Sequence, residues 1–583
     1  MTPAEIFLEL LKPEGRPERQ LAQYEALGMI LVDPINSYLR GNRQRGKTSV
    51  DRWGTTILFP EDAPGATPHI TPETKVCPDI THWRDYCHAP DLIANCSEGW
   101  EAALEMAERV RAEGKLAAGF MGTGIFEQCH FLMGFEDTLT NLYEHPQEMH
   151  ELIEYILEYR LTYVKLLIDH LHPDVIFSHD DWGTKNALFM QSDVWREFFK
   201  EPYRKFYGYI RSRGCIAIHH ADSYLVPIVD DMAEIGIQVW QGTLPENDIP
   251  ALIRHLNGRM VLMGGIGAAI DRRDAGEAEI RAYVREALER YCPCGHYIPC
   301  ITYGIMGTVF PQVDPIIDEE IHAYNGRIHF PDYRPAHHVR RVRSSAETGQ
   351  AAAAVAGMSL PVTEPAAGTG AADDRLKLIA DALCRGQKKK TVRLVEEALG
   401  EGISAQTILS EGLMRGMNEI GEAFTAGKVF VPEMLLAARC MTGAMELLKA
   451  QLTGQTTEQL GRVCLGTVRG DLHDIGKNLV KIMMEGAGIE VIDLGVDVTA
   501  ETFVETAVAE KCDMICCSSL LTTAMPEMRR VVELSEQAGI RDRIRIMVGG
   551  APISQSFCDE IGADIYTPDA AAAARAAVRA LGA

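Results

Sequence analysis

The stretch from Arg462 to Asn478 reads RVCLGTVRGDLHDIGKN and decides the fold of the C-terminal third of the chain. RVCLGTV has a strand pattern and runs directly into Arg469-Gly470-Asp471-Leu472-His473-Asp474-Ile475-Gly476, with a helix pattern behind it. In a doubly wound α/β fold, such a turn sits at the carboxyl end of a strand, where ligands bind. A histidine held there can ligate a metal through one ring nitrogen. A carboxylate two residues earlier can hold the other nitrogen, which fixes the tautomer and tunes ligand basicity. Gly476 lets the backbone turn tightly beneath a bulky ligand. Asp471, His473 and Gly476 alone are a weak signal, because an isolated loop histidine is ordinarily satisfied by local hydrogen bonds.

The surroundings strengthen it. From Gly461 onward the runs RVCLGTV, IEVIDLGV, DMICCSSL, RIRIMVGG and ADIYTP alternate with amphipathic helices, the pattern of a parallel sheet covered on both faces. Ser518-Ser519-Leu520-Leu521-Thr522-Thr523 lies at one strand end and Val548-Gly549-Gly550-Ala551-Pro552 at another. Small and hydroxylated residues at those ends would open a slot between strands. Upstream, residues 374–457 place apolar residues three and four apart in successive segments, a small helical bundle. The methionines there (Met414, Met417, Met434, Met441, Met445) read first as plastic core.

Before the bundle, residues 344–373 are rich in Ala, Gly, Thr and Pro and poor in core-forming side chains, a flexible linker. As a random coil it would reach roughly 30 Å, enough for the flanking pieces to reorient and still meet. Residues 1–343 alternate strands and helices once more: LAAGFMG, DVIFSHD, CIAIHH, IQVWQG, MVLMGG and HYIPCI read as strands. Polar residues crowd their carboxyl ends: His179-Asp180-Asp181, His219-His220, Gln241-Gly242, Gly264-Gly265 and Cys300. A (β/α)8 TIM barrel with its site on the C-terminal face explains both features; a large open α/β sheet is the rival. The chain is thus α/β throughout: a barrel at 1–343, a linker at 344–373, a helical cap at 374–457 and a Rossmann-like doubly wound domain at 458–583.

Composition agrees with a globular chain of several domains: 583 residues, 46% apolar and 24% charged. The net charge of −25 argues against nucleic acid or an anionic membrane as the main partner. No apolar run is long enough to span a bilayer, and the N-terminus lacks the layout of a signal peptide. Fifteen cysteines, several in apolar runs, fit buried or ligating thiols, and the cytoplasm is the expected compartment.

From Asp374 onward the sequence resembles the B12-binding module of cobalamin-dependent methionine synthase and of the small corrinoid proteins of methyl-transfer systems. The resemblance is carried by Asp471/His473/Gly476, Ser518/Leu520/Thr522 and Gly549/Gly550. It implies a corrinoid with His473 as the lower cobalt ligand, Asp471 and Ser518 as neighbours supporting it and the nucleotide tail, and a helical cap shielding the upper, methyl-bearing face.

Residues 1–343 resemble the methyltransferase branch of the uroporphyrinogen decarboxylase superfamily, through DRWGTTILFPEDAPGATPH (51–69), SHDDWGT (178–184), IAIHHADSYLVPIVDDMAEIGIQVWQG (216–242), MVLMGGI (260–266) and YIPC (297–300). The basic run RGNRQRGKTSVDR does not reproduce the porphyrin-gripping signature, which disfavours decarboxylation. Those methyltransferases hold zinc through His-x-Cys and a later Cys. Carried over, the zinc ligands here are His220, Asp222 and Cys300, with aspartate replacing the first cysteine and His219 as a substitute ligand. Cys292 and Cys294 are weaker candidates. Asp180, Asp181 and Glu127 are the candidate acids, bases or substrate-orienting groups.

The domain order matches that of chloromethane-using methyltransferases. It implies transfer of a methyl group from a small donor, a methyl ether, methoxy compound or methyl halide, to Co(I) of the chain's own corrinoid. A tether favours that direction by raising effective concentration. Expected partners are a tetrahydrofolate- or thiol-linked acceptor enzyme and a reductive activator for Co(II). Two alternatives stand: transfer from a loaded corrinoid to a thiol such as coenzyme M, and a non-catalytic carrier or sensor with a decayed barrel.

Overall fold

A computed structural model describes residues 1–41, 43–59, 66–272, 275–303, 308, 310–327, 371–452, 460–471, 475–519, 524–550, 553–568 and 570–582. In the N-terminal part, β1 (Leu27–Ile30) is followed by a small antiparallel sheet of β2 (Lys47–Val50), β3 (Thr56–Phe59) and β4 (Thr67–Pro68). Then come β5 (Leu116–Met121), β6 (Val175–His179), β7 (Ile216–His220), β8 (Val239–Thr243), β9 (Val261–Ile266) and β10 (Tyr297–Ile301). Their order in the sheet is β1-β5-β6-β7-β8-β9-β10, and every neighbouring pair is parallel. Strands β7 to β10 are buried at every position, as strands with a packed interior on one side and helices on the other must be.

The segment before β1 closes the seam between first and last strands. The Gln23 backbone N–H donates to Pro299 O at 3.1 Å, and Gln20 Nε2 donates to Tyr297 O at 2.6 Å. In return the Ile301 N–H donates to Gln23 Oε1 at 3.2 Å. Among the described residues the barrel sheet therefore has seven strands, with a glutamine segment bonded along the last of them. These bonds favour the barrel over the open sheet.

Helices α1 (Ile125–Met133), α2 (Phe135–Glu144) and α3 (Pro146–Leu171) follow β5, and α4 (Glu201–Ser212) follows β6. The stretch PQEMHELIEYILEYRLTYVKLLIDHL forms α3 from end to end. Its proline opens the first turn, and Met149, Leu152, Ile153, Ile156, Leu157, Arg160, Tyr163, Val164, Leu167, Ile168 and Leu171 make one buried stripe.

The C-terminal part begins with α5 at Ala371 rather than Asp374 (Ala371–Cys384) and continues with α6 (Lys388–Gly400), α7 (Arg415–Thr425) and α8 (Val431–Leu452). The preceding linker lies outside the described residues. Strand β11 (Arg462–Val468) leads towards α9 (Ile475–Gly486), followed by β12 (Glu490–Val498), β13 (Met514–Ser518), β14 (Arg545–Gly549) and β15 (Ile565–Thr567). The all-parallel order β12-β11-β13-β14-β15 is doubly wound, with its switch point between β11 and β13. Side chains of β11 alternate between two cores. Val463 and Leu465 share one with the cap residues Leu383, Met434 and Leu448, and Cys464 faces the other with Phe503 and Val548. All fifteen cysteines are free thiols. Among the described residues no helix is long and apolar enough to cross a membrane.

Candidate functional site

Two strand ends make the barrel site. Strands β6 and β7 are in register at His179 and His220, whose rings stack 4.6 Å apart. His179 Nδ1 donates to Glu127 Oε2 at 2.9 Å, because a carboxylate only accepts. The same oxygen accepts the Gly124 N–H at 3.1 Å, at the start of α1. His220 Nδ1 lies 2.5 Å from Gln241 Oε1, and the amide's Nε2 is committed to Tyr303 O at 2.9 Å and Ile301 O at 3.3 Å. The glutamine therefore presents its oxygen, and His220 Nδ1 carries the proton. That leaves Nε2 of His220 with its lone pair, and Nε2 of His179 could ligate a metal once the ion displaces its proton. One ligand atom each from His179, Asp181 and His220 lies within 4.8 Å of the others. Asp181 is steadied from behind, its Oδ1 accepting the Asp222 N–H at 3.1 Å and the Ser223 hydroxyl at 3.4 Å.

The electrostatics favour positive charge at this point. Burial opposes charge on both Glu127 and His179, yet their mutual attraction outweighs it, driving Glu127 down to about 2 and His179 up to about 10. Asp181 is pushed up to about 6 by burial and the Glu127 charge, against the pull of His179. The Glu127 and Asp181 carboxyls thus stand beside two imidazoles, and a divalent ion would offset their charge.

Asp180 points elsewhere. Its carboxylate accepts the Phe126 and Glu127 N–H groups at 3.0 and 2.9 Å, Trp182 Nε1 at 3.0 Å and the Tyr203 hydroxyl. It caps the start of α1, where a carboxylate is favoured. Gly124 makes room for it: a Cβ there would lie 2.0 Å from Asp180 Cγ. Arg160, buried in α3, pins the preceding turn through Gly122 O, Thr123 O and Ser178 Oγ. Asp180 and Arg160 thereby position Glu127.

Of the zinc ligands carried over from the resemblance, His220 is in the group of three, whereas Asp222 and Cys300 are not. Asp222 offers its backbone to Asp181. Cys300 is fully buried, with its thiol 4.0 Å from Gln241 Nε2 and its acidity suppressed by burial. His219 faces away from the mouth: Nδ1 bonds the Tyr207 hydroxyl of α4 at 2.7 Å and the ring lies on Trp182 at 4.1 Å. Cys292 and Cys294 precede β10, at the end of the barrel opposite the mouth. The sequence does not single out His179 as a ligand or Gln241 as its neighbour's anchor, although both stand in the polar strand-end clusters.

In the C-terminal part the loop after β11 meets the ends of β13 and β14 at the switch point. Asp471 is fully buried, and its Oδ2 accepts the Ser519 hydroxyl at 2.9 Å. The Asp497 N–H donates to Asp471 O at 3.0 Å, and the Gly470 N–H to Asp497 Oδ1 at 2.8 Å. Ser519, rather than Ser518, is the serine that reaches Asp471. Gly550 passes so close to Ser519 that a Cβ would lie 1.8 Å from its carbonyl oxygen, and its φ is +126°. Gly549 pairs with Ser518 across β13 and β14. Gly476 stands at the head of α9 with open space where a Cβ would be. His473, Leu520 and Thr522 lie outside the described residues.

Comparison with known proteins agrees with this division. Residues 53–313 match the family described as uroporphyrinogen decarboxylase (URO-D), and residues 376–449 and 461–578 match two B12 binding domain families. Dimethylamine corrinoid protein 3 of Methanosarcina acetivorans is 43% identical over 195 residues, 33% of this chain and 91% of that protein. The chain belongs to the corrinoid proteins. It is a fusion, with a uroporphyrinogen decarboxylase-like domain ahead of the corrinoid module. Trimethylamine corrinoid protein 1 of the same organism is 42% identical over 188 residues, 32% of this chain and 87% of that protein. Among solved structures, the methanol:cobalamin methyltransferase complex from Methanosarcina barkeri is similar at 28% identity and a TM-score of 0.34, covering 40% of this chain and 92% of that one. The residues of this corrinoid fusion protein fit the cofactor: a buried carboxylate, held by Ser519, stands two positions before His473 in the sequence, and the two neighbouring strand ends are lined by Ser518, Gly549 and Gly550.

Proposed function

We propose that the barrel removes a methyl group from a small methylated donor and delivers it to Co(I) of the corrinoid carried by the same chain. The observation that carries this reading is the His179–Asp181–His220 group, with both Nδ1 atoms held from behind, at the mouth of a barrel tethered to a corrinoid module. A divalent metal, zinc by the chemistry of the set, fits those three ligands in place of His220, Asp222 and Cys300, with a position left for the donor. Bound there, it would supply a Lewis acid for the donor's leaving atom, while the reduced corrinoid would supply the nucleophile.

The chain's own residues do the remaining work. Glu127 and Gln241 occupy the two Nδ1 atoms, which leaves Nε2 of each ring as the nitrogen to ligate, within a group whose ligand atoms lie no more than 4.8 Å apart. Asp181 completes the set, its Oδ1 held by the Asp222 N–H and the Ser223 hydroxyl. A nitrogen and oxygen ligand set without thiolate suits a hard atom. That favours a methyl–oxygen donor, an ether or methoxy compound, over a methyl halide or a thiol acceptor. An acceptor enzyme would then unload the module, and a reductive activator would restore Co(I).

The test is to reduce the holoprotein and screen methylated donors for the absorbance change that marks methylation of cobalt. A response to a methoxy compound that is lost in His220→Ala is expected. Consumption of a premethylated corrinoid by thiol alone would replace this reading with the reverse half-reaction.

A further inference from the structure

Helix α8 belongs to the cap, yet its first turns reach the barrel. Glu433 Oε1 accepts the Tyr143 hydroxyl and Gln191 Nε2, each at 2.7 Å, while its Oε2 accepts the Phe430 N–H at 3.0 Å and secures the start of α8. One helical face further on, Arg439 spans Glu144 at 2.5 Å and Asp137 at 2.8 Å, both on α2. Asp137 is itself paired with Lys75 at 2.5 Å. Val431 and Leu435 join the barrel's core between these two polar contacts, with Phe424 and Phe430 packed against it.

The place matters. Helix α2 directly follows α1, which carries Glu127, and Gln191 closes the loop after β6, which carries His179. The contact therefore sits on the rim of the mouth that holds the candidate metal group. We propose that this rim is a docking surface for the chain's own helix α8, fastened by Glu433 and Arg439, which parks the corrinoid module beside the barrel mouth and releases it as a unit.

Release on the barrel side follows from a difference between two junctions. Cap and doubly wound sheet share one continuous apolar core, from Leu383 and Met434 to Leu465, Met514 and Ala577. Cap and barrel share a smaller apolar contact, Val431 and Leu435 with Phe424 and Phe430 beside them, and a polar clasp. The side chains of Arg439, Glu144 and Asp137 keep 34%, 31% and 25% of their exposure, so salt screens them. The weaker junction opens first, and the cap leaves with the module. The proposal takes its purpose from the methyl-transfer reading, but its test measures shape and hydrogen exchange, not turnover.

The experiment uses the full-length holoprotein. Arg439→Glu should raise the radius of gyration in solution scattering and speed amide exchange at least tenfold in peptides covering 135–144 and 431–442, with the bound-corrinoid spectrum unchanged. Glu144→Arg alone should do the same from the barrel side. The exchanged pair, Arg439→Glu with Glu144→Arg, should recover much of the compactness. Raising salt from about 0.05 to 0.5 M should reproduce the single variants, because screening shortens from roughly 14 Å to a few ångström. Unchanged size and exchange in both single variants would overturn the proposal. So would loss of the corrinoid spectrum without rescue by the exchanged pair, since the clasp would then be part of the module's own folding.

Discussion

The two sites of this chain solve one problem in opposite ways. In the barrel, histidines at the carboxyl ends of parallel strands are backed by side-chain oxygens; in the corrinoid module that role is proposed for the buried Asp471. In the corrinoid module the proposed backing is local, with Asp471 two positions before His473 in the sequence and Ser519 arriving from a neighbouring strand. In the barrel it is dispersed: Glu127 from α1, Asp181 after β6, His220 on β7 and Gln241 on β8, itself held by β10. A local arrangement survives as a motif readable along the chain. A dispersed one is defined by register between strands, which no single stretch displays.

The largest effects should separate the two sites cleanly. His473→Ala should abolish the spectrum of a corrinoid whose own base is displaced, while leaving barrel metal, measured by elemental analysis, at its original stoichiometry. His220→Ala should do the converse: metal lost, corrinoid spectrum intact, and methylation of cobalt slowed roughly 1000-fold, the several kcal/mol a Lewis acid contributes. If either variant disturbed both readouts, the sites would not be independent.

A second effect tests how tightly the local site is built. Gly550→Ala would force a Cβ against Ser519 O at 1.8 Å and in a backbone region that side chains rarely adopt. It should cost about 3 kcal/mol of the module's stability in denaturant unfolding and weaken corrinoid binding. Gly476→Ala, where open space surrounds the site of the new atom, should cost far less.

The smallest effect sharpens the contrast. Gln241→Leu removes the anchor of His220 but no ligand, and should lower metal affinity roughly 10–100-fold in competition with a chelator. Gln241→Glu keeps an accepting oxygen and should recover most of it. Equal affinities in all three proteins would mean that β7 packing alone orients the imidazole.

Much of the architecture could be read beforehand. Strand runs at 116–122, 216–220 and 462–468, and the long amphipathic α3, are apolar patterns whose period reflects burial directly. Strand β1 and the small sheet β2–β4 were not legible, since LGMI and KTSV are short and their pattern is weak. In the barrel site, the strand-end clusters were visible but the ligand set was not. His179 and Asp181 share a parity along β6 and its extension, and His220 lies level with His179 across the sheet. Asp222 comes after β7 has ended, where parity no longer governs direction. Likewise Ser518 and Ser519 differ by one position at a strand end, and only the closed structure says which one turns towards Asp471.

The clasp between α2 and α8 also has a history within each molecule's synthesis. Tyr143 leaves the ribosome 290 residues ahead of Glu433, and Asp137 leaves 302 ahead of Arg439. At about 5–20 residues per second, the barrel's half of the contact waits roughly 15–60 s for its partner. An apolar face left bare that long would invite aggregation. The tyrosine, glutamine and carboxylates of the rim stay hydrated while they wait and keep the apolar part of the face small, so the polar character that lets the module leave in the mature protein also limits what the nascent chain exposes.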